Sequence, residues 1–416
     1  MEKNILTLEN VNDYKLVSKK DQNGRDIKLF TFNNVFFTGT SQYYPDILFK
    51  IENQNDLVLP IKEMSMSMNK KSYYEENGLK YIEKNNNEEY ILINEDVYYF
   101  IYNTENYYHF VYDTLPYLYL YLQMKDKNNN LKLVINYNKN KNRLLNFIKE
   151  TYELLNIKDD DIIIHNKKNK YKKVYLSNSF THDGLSNSPP RKEIYEIYDI
   201  LIKNSLIDYK TEKKYDKIYI SRRTWINKQT DNIGTDYTTR RKLVNENELV
   251  DNLVNLGFTE LFGENYSMKE KIQIFNSAKI VIGAIGGTIT NTIFCSKNCK
   301  IITMVSPCFL EINYRMKYLL KNSDFVYGEL DCKEGEIPKN VRIKITDKNN
   351  QYYDYICEVV EKKDDKYLLN VGNNYVSFNS EDQFKQIYLN ENDFIKLDNG
   401  INSPWRINLK DLLVNI

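Results

Sequence analysis

Three short stretches carry residue types that can do chemistry. In "ENYYHFVYDTLP", residues 105–116, His109 and Asp113 are four apart, so a helix through them puts both on one face within hydrogen-bonding reach. A carboxylate so placed fixes the imidazole tautomer, or the imidazole tunes the acid, and either group can take a proton from a hydroxyl. A purely structural histidine on an aromatic helix is the alternative. In "YISRRTW", residues 219–225, Ser221, Arg222 and Arg223 end an apolar run. Guanidinium forks there would bind diphosphate at two points, as lysine cannot; the alternative is a surface pair neutralised by local acids. In "VIGAIGGTITNTIF", residues 281–294, three glycines gather and every charge disappears.

The glycines fall where a buried strand leaves its sheet, the place at which open α/β sheets bind ligands. Gly283, Gly286 and Gly287 permit φ > 0 and close approach of a ligand. The N–H groups of a following helix, with Thr288, Thr290 and Asn291 as extra donors, then form an anion cradle for phosphate or pyrophosphate. A tight turn with close helix-to-sheet packing is the other use of such glycines. The loop is not G-x-G-x-x-G and has no P-loop lysine, which counts against a dinucleotide dehydrogenase and a P-loop NTPase.

Each stretch needs elements to hold it. Residues 1–100 alternate apolar stretches with polar turns ("LFTFNNVFF", "EEYILINEDVYYFIY") and read as strands. From Asn106 to Met124 the spacing turns helical, with Pro116 breaking or bending the helix. "LKLVINY", a helix over Arg143 to Leu155, "DIIIH", "KKVYLSN" and a helix from Arg191 to about Ile207 follow. A second α/β round begins at "DKIYISRR" and passes through "ENELVDNLVNLGF", "TELFGE", "SMKEKIQIFNSA" and "KIVIGAIGG". Asn245 and Glu248 fit a helix N-cap and its capping-box partner, just after Arg240 and Arg241. Past Val326, "NVRIKITD" places Val341, Ile343 and Ile345 on one strand face, and "DYICEVVEKKDDKYLLNVGNNYVSF" continues as strand, turn, strand, turn, strand. The organisation expected is residues 1–208, an α/β domain with a β-rich start; 209–328, a Rossmann-like domain; and 329–416, a β-rich appendage.

Composition narrows the partners. The 58 basic and 57 acidic side chains leave a net charge of +1, which gives no field to gather nucleic acid or a membrane surface. No apolar span reaches about 18 residues and "MEKNILTLEN" lacks a signal-peptide core, so no integral membrane segment and a cytoplasmic location are expected. Five cysteines crowd the C-terminal half, which fits reduced thiols. Cys295 and Cys299 have no second Cys/His pair nearby, so no metal is expected.

In order and spacing these residues resemble glycosyltransferase family 61, which includes plant xylan-modifying transferases and bacterial capsular polysaccharide enzymes. The match runs through Asn106, Tyr107, His109, Asp113, Leu115 and Pro116; Ser221, Arg222 and Arg223; and Asn245, Glu246, Glu248 and Leu249. It continues with Gly257 and Phe258; Glu264; Ala278, Val281 and Gly283; and Gly286, Ile289, Thr290 and Asn291. The resemblance implies an α/β, GT-B architecture, two Rossmann-like domains facing a cleft, with the β-rich appendage outside it. It implies inverting, metal-independent transfer from a sugar nucleotide to a glycan or glycoprotein acceptor, with the nucleotide sugar as co-substrate and no other cofactor. Asp113 or His109 would be the base. Arg222, Arg223, Glu264, Gly286, Gly287, Thr288, Thr290 and Asn291 would hold the nucleotide sugar. One departure is that the family's loop histidine falls on Ile285. A non-catalytic binding descendant and a sugar-nucleotide epimerase of the same shape are the rival readings.

Overall fold

The computed structural model describes residues 5–7, 14–19, 26–37, 48–50, 57–59, 89–99, 106–135, 144–166, 168–178, 180–181, 190–207, 215–223, 241–307, 314–320, 322–371, 385–397, 400 and 402–416. Arg240, Cys308 and the strand expected over "NNYVSF" lie outside them. The chain divides into two compact units. One takes 1–212, 231–235 and 266–276, and the other takes 213–230, 236–265 and 277–416.

The first unit is built on a nine-stranded sheet. Its strands are β1 (Ile5–Thr7), β2 (Tyr14–Ser18), β3 (Ile27–Phe37), β4 (Leu48–Lys50), β5 (Leu57–Leu59), β6 (Ile91–Tyr99), β7 (Lys132–Ile135), β8 (Ile162–Ile164) and β9 (Asn169–Ser177), in the order β1-β5-β4-β3-β9-β6-β7-β8 with β2 on β3. β9, β6, β7 and β8 are mutually parallel, whereas β3 meets β9 antiparallel, so the β-rich start extends a parallel α/β core. Strands buried on both faces read as continuous apolar runs, as in Leu133, Val134 and Ile135, all fully buried.

After β6 the chain forms the short helix α1 (Tyr107–His109), a π turn over Phe110–Thr114, a 3-10 turn over Leu115–Tyr117, and α2 (Leu118–Lys125). The break expected from Pro116 is thus present. Proline has no N–H and its ring clashes with the carbonyl four residues back; the widened turn hands that interruption on through a bond from the Leu115 N–H to the Phe110 carbonyl. α3 (Asn146–Leu154) and α4 (Ile194–Ser205) complete the local α/β layers.

The second unit opens with a five-stranded parallel sheet of β10 (Lys217–Ile220), β11 (Thr259–Leu261), β12 (Ile280–Ala284), β13 (Lys300–Val305) and β14 (Ser323–Tyr327). The order is β11-β10-β12-β13-β14, every pair parallel. This is the doubly wound order 2-1-3-4-5, whose direction of winding reverses between the first and third strands. α5 (Glu246–Asn255) precedes β11. α6 (Met268–Ser277) stands in sequence between β11 and β12, yet most of it belongs to the first unit. Its Met268 N–H donates to Glu150 (2.6 Å), its Gln273 amide donates to the Ser205 carbonyl (2.6 Å), and Lys271 lies over the Tyr107 ring. α7 (Tyr314–Leu319) precedes β14.

β15 (Glu329–Leu330) leads away to a second sheet of β16 (Arg342–Ile345), β17 (Ile356–Lys363), β18 (Lys366–Val371), β19 (Lys385–Asn390) and β20 (Phe394–Lys396), all antiparallel, in the order β19-β18-β17-β16-β20. Val341, Ile343 and Ile345 are buried and Arg342 and Thr346 exposed, as the alternation predicts. The chain then returns as β21 (Trp405–Arg406), which pairs with β15, and ends in α8 (Leu409–Val414). Trp405, Ile407 and Leu412 join Leu249, Ile282, Ile302 and Met304 in the core of the parallel layer. A Cβ on Gly328 would stand 2.4 Å from both the Trp405 ring and the Arg406 carbonyl. Gly328→Ala is therefore expected to cost about 1–3 kcal/mol by overpacking, read as a lower denaturation midpoint.

Candidate functional site

The first cluster lies on the kinked helix. His109 Nδ1 is 2.7 Å from Asp113 Oδ2, and the Thr181 hydroxyl donates to the other oxygen, Oδ1, at 3.2 Å. Asp113 is 1% exposed, whereas His109 is 24% exposed. The spacing of four reaches across the junction of α1 and the π turn. Asn106 caps α1, its side chain accepting from the His109 N–H, and the Tyr198 hydroxyl donates to the Val111 carbonyl. With Asp113 ionised its carboxylate can only accept, so Nδ1 would carry the proton in this pair and Nε2 would be the accepting nitrogen.

The second cluster lies where the winding of the parallel sheet reverses, at the carboxyl ends of β10 and β12. The Ser221 N–H still pairs with the Leu261 carbonyl. The next amide, Arg222, has left the ladder and needs an acceptor. Glu246, the first residue of α5 and 2% exposed, supplies it at 2.6 Å and also accepts from the Tyr219 hydroxyl at 2.7 Å. Burial pushes the Glu246 carboxyl above its usual range, with the Arg222 amide and Tyr219 hydroxyl opposing. The Arg222 guanidinium crosses to the glycine loop, where NH1 donates to the Ile285 carbonyl at 3.0 Å. A Cβ on Gly286 would stand 3.1 Å from that same NH1. What approaches this backbone is thus an arginine, and the glycine makes room for it.

Arg223 points elsewhere. Its Nε and NH2 fork onto the two oxygens of Glu260 at 2.9 and 2.5 Å, and NH1 donates to Asn247 at 3.0 Å. The hydrogen bond to Glu260 raises its pKa further. Successive residues at a strand end alternate sides, so adjacent arginines do not converge.

Gly283, Gly286 and Gly287 are not among the positive-φ residues, so the expected use of φ > 0 is corrected to close approach. A Cβ at Gly283 would be 3.0 Å from Ile220 and Ile289. The helix expected after Gly287 is a 3-10 helix, Thr288–Phe294. The Asn291 amide donates to the Thr288 carbonyl and the Thr292 hydroxyl to the Ile289 carbonyl. Side chains that occupy carbonyls three residues back compete with α-helical bonding, and the β-branched run adds to the effect. Gly286, Gly287 and Thr288 reach solvent, while Thr290 and Asn291 are fully buried. Glu264, 8% exposed, sits in the turn Gly263–Asn265. A Cβ at Gly263 would fall 2.5 Å from the Thr288 side chain, so that turn lies against the glycine loop.

The capping expectation for Asn245 also needs correction, because its side chain makes no cap to α5. It pairs with the backbone of Ile407 instead, donating to the carbonyl at 2.8 Å and accepting from the N–H at 3.1 Å. The partners that spacing could not supply are Thr181, Glu246 and Glu260. Among the described residues, Cys295, Cys299, Cys332 and Cys357 form no disulfide. No group of three or more His, Cys, Asp or Glu that could hold a metal ion occurs among the described residues, and no helix among them is long and apolar enough to cross a membrane.

The family model described as Glycosyltransferase 61 matches residues 107–302, a span that contains both clusters. Over this region the chain is similar to glycosyltransferase family 61, and the match marks it as a glycosyltransferase. No curated protein matches the chain significantly.

Proposed function

We propose that the protein is an inverting, metal-independent glycosyltransferase of GT-B type. It moves a sugar from a nucleotide sugar, UDP-linked, to a hydroxyl of a glycan or glycoprotein. The observation that carries this reading is the buried Asp113 carboxylate on His109 Nδ1. In a single displacement the acceptor oxygen attacks the anomeric carbon, its proton passes to His109 Nε2, and the anomeric carbon–oxygen bond breaks to release the nucleoside diphosphate. Asp113 holds the ring and stabilises the imidazolium. Arg222, at the switch point of the parallel sheet, meets the charge on the departing diphosphate, with Gly286, Gly287 and Thr288, which reach solvent, beside it. Glu264 contributes to the sugar nucleotide's seat, while Arg223 acts from its Glu260 pair to hold the strand end. The region up to about residue 208 serves the acceptor and residues 209–328 the nucleotide.

Ile285 favours a second reading, a descendant that binds without catalysis. Its side chain is 4% exposed and only its backbone is engaged, so it offers no donor where the family has histidine.

Thermal unfolding against UDP, GDP, CMP, dTDP and their common sugars, with and without EDTA, tests the proposal. A ligand specific to the folded state stabilises by about 2.7 kcal/mol at a hundredfold excess over Kd. A rise selective for uridine nucleotides and insensitive to EDTA is expected; no rise with any of them would overturn the nucleotide-sugar reading. Release of free nucleotide from the bound sugar nucleotide, on adding an acceptor, excludes the binding-only descendant. Return of an isomeric sugar nucleotide would instead indicate an epimerase.

A further inference from the structure

We propose that Asn245 is a positioning residue for the nucleotide site, acting on Arg222 through Glu246, and that the returning strand β21 is the anchor it works from. The inference rests on Arg222 as the diphosphate ligand.

Glu246 fixes the direction in which Arg222 leaves β10, because its carboxylate holds the Arg222 amide at 2.6 Å. The position of Glu246 depends in turn on the segment 241–245 immediately before it. That segment is laid along the C-terminal return, since Leu243 bridges in parallel to Trp405. The Arg241 N–H donates to the Asn402 carbonyl (2.9 Å), the Trp405 N–H to the Lys242 carbonyl (3.0 Å), and the Val244 N–H to the Trp405 carbonyl (2.8 Å). The Trp405 indole donates to the Arg241 carbonyl at 2.9 Å.

Asn245 is the last link before Glu246. Its amide makes a two-point pair with the Ile407 backbone, as a further rung of a ladder would. Trp405 and Ile407 are anchored by burial, at 1% and 2% exposure. A chain of contacts therefore runs from buried tail residues to Asn245, from its neighbour Glu246 to the Arg222 amide, and from the Arg222 guanidinium to the Ile285 carbonyl. These tail residues lie beyond the family-matched span of 107–302. The nucleotide site of this chain thus depends on residues outside it.

Asn245→Ala removes both bonds to Ile407, and Trp405→Phe removes the indole N–H together with the pyrrole part of the ring system, keeping one aromatic ring in the core. Two readouts apply to the full-length chain. Amide hydrogen exchange over Ile220–Arg223 is expected to quicken in Asn245→Ala without ligand. Calorimetric titration with the tightest binder among UDP, GDP, CMP and dTDP is expected to show about tenfold weaker affinity for Asn245→Ala, and a smaller loss for Trp405→Phe. The Asn245→Ala, Arg222→Ala double variant is expected to bind no more weakly than Arg222→Ala alone, because both changes act on one contact. Additive losses, or Asn245→Ala with unchanged exchange and affinity, would overturn this proposal and leave Arg222 in place as the ligand. If Arg222→Ala binds normally, or no nucleotide binds, the donor reading fails and this inference falls with it.

Discussion

His109→Ala is expected to lower kcat by roughly 10²–10⁴-fold, the usual contribution of a positioned general base, while nucleotide affinity stays as in the parent chain. Asp113→Asn preserves volume at a site 1% exposed but can no longer stabilise the imidazolium, and its amide can turn the ring to the wrong tautomer. It should therefore spare nucleotide binding and strip most of the transfer rate. The two losses should not add, since the carboxylate acts through the imidazole. Steady-state release of nucleotide in the presence of acceptor gives kcat, and titration with the nucleotide alone gives the affinity. A His109→Ala enzyme with parental kcat would remove this histidine from the mechanism. Loss on Asp113→Asn alone would make Asp113 the base.

The second large effect concerns the two adjacent arginines, which the structure treats differently. Arg222→Ala is expected to weaken nucleoside diphosphate binding about 10- to 150-fold, equivalent to roughly 1.5–3 kcal/mol for a hydrogen bond to a charged group. Arg222→Lys should recover little of it, because a point charge cannot reproduce the planar fork. Arg223→Ala is the internal control. It breaks a pair with Glu260 whose side chains are 17% and 16% exposed, so the effect should appear in thermal stability, with affinity close to the parent. Equal losses of affinity in both variants would mean that Arg223 leaves Glu260 for the ligand. Unchanged affinity in Arg222→Ala would refute the diphosphate assignment.

The sequence makes some of this legible because the contacts involved are local. His109 and Asp113 are joined by helical spacing, and Pro116 announces the interruption after them. The alternation of strands and helices from Lys217 onward gives a parallel sheet because β10, β12 and β13 are short and mostly apolar and the connections between strands are crossovers. The alternation from Val341 gives a half-buried strand for the same kind of reason. Other features depend on geometry that a linear reading handles poorly. Arg222 and Arg223 look like one cluster in sequence, yet the two-residue period of a strand end sends one to Ile285 and the other to Glu260. Thr288 to Thr292 reads as a helix start, and only the side-chain claims on the Thr288 and Ile289 carbonyls show why it winds as a 3-10 turn. Asn245 has the sequence neighbours of a cap, but its partner is Ile407, 162 residues away. No local rule links those positions. The assignment of α6 to the first unit is of the same kind, since it rests on Glu150, Ser205 and Tyr107.

β15 and β21 run antiparallel, side by side, with paired residues about 5 Å apart. The described residues between Leu330 and Trp405 therefore depart and return at one narrow neck. A segment held in this manner behaves as a cassette. It has its own apolar centre in Ile343, Ile345, Val359, Tyr367 and Leu369, and joining its two ends closes one loop, whose entropic cost grows slowly with length. Such a segment can change in length without re-threading the parallel sheet, provided that the two strands of the neck stay paired and Asn402 keeps its bond to Arg241.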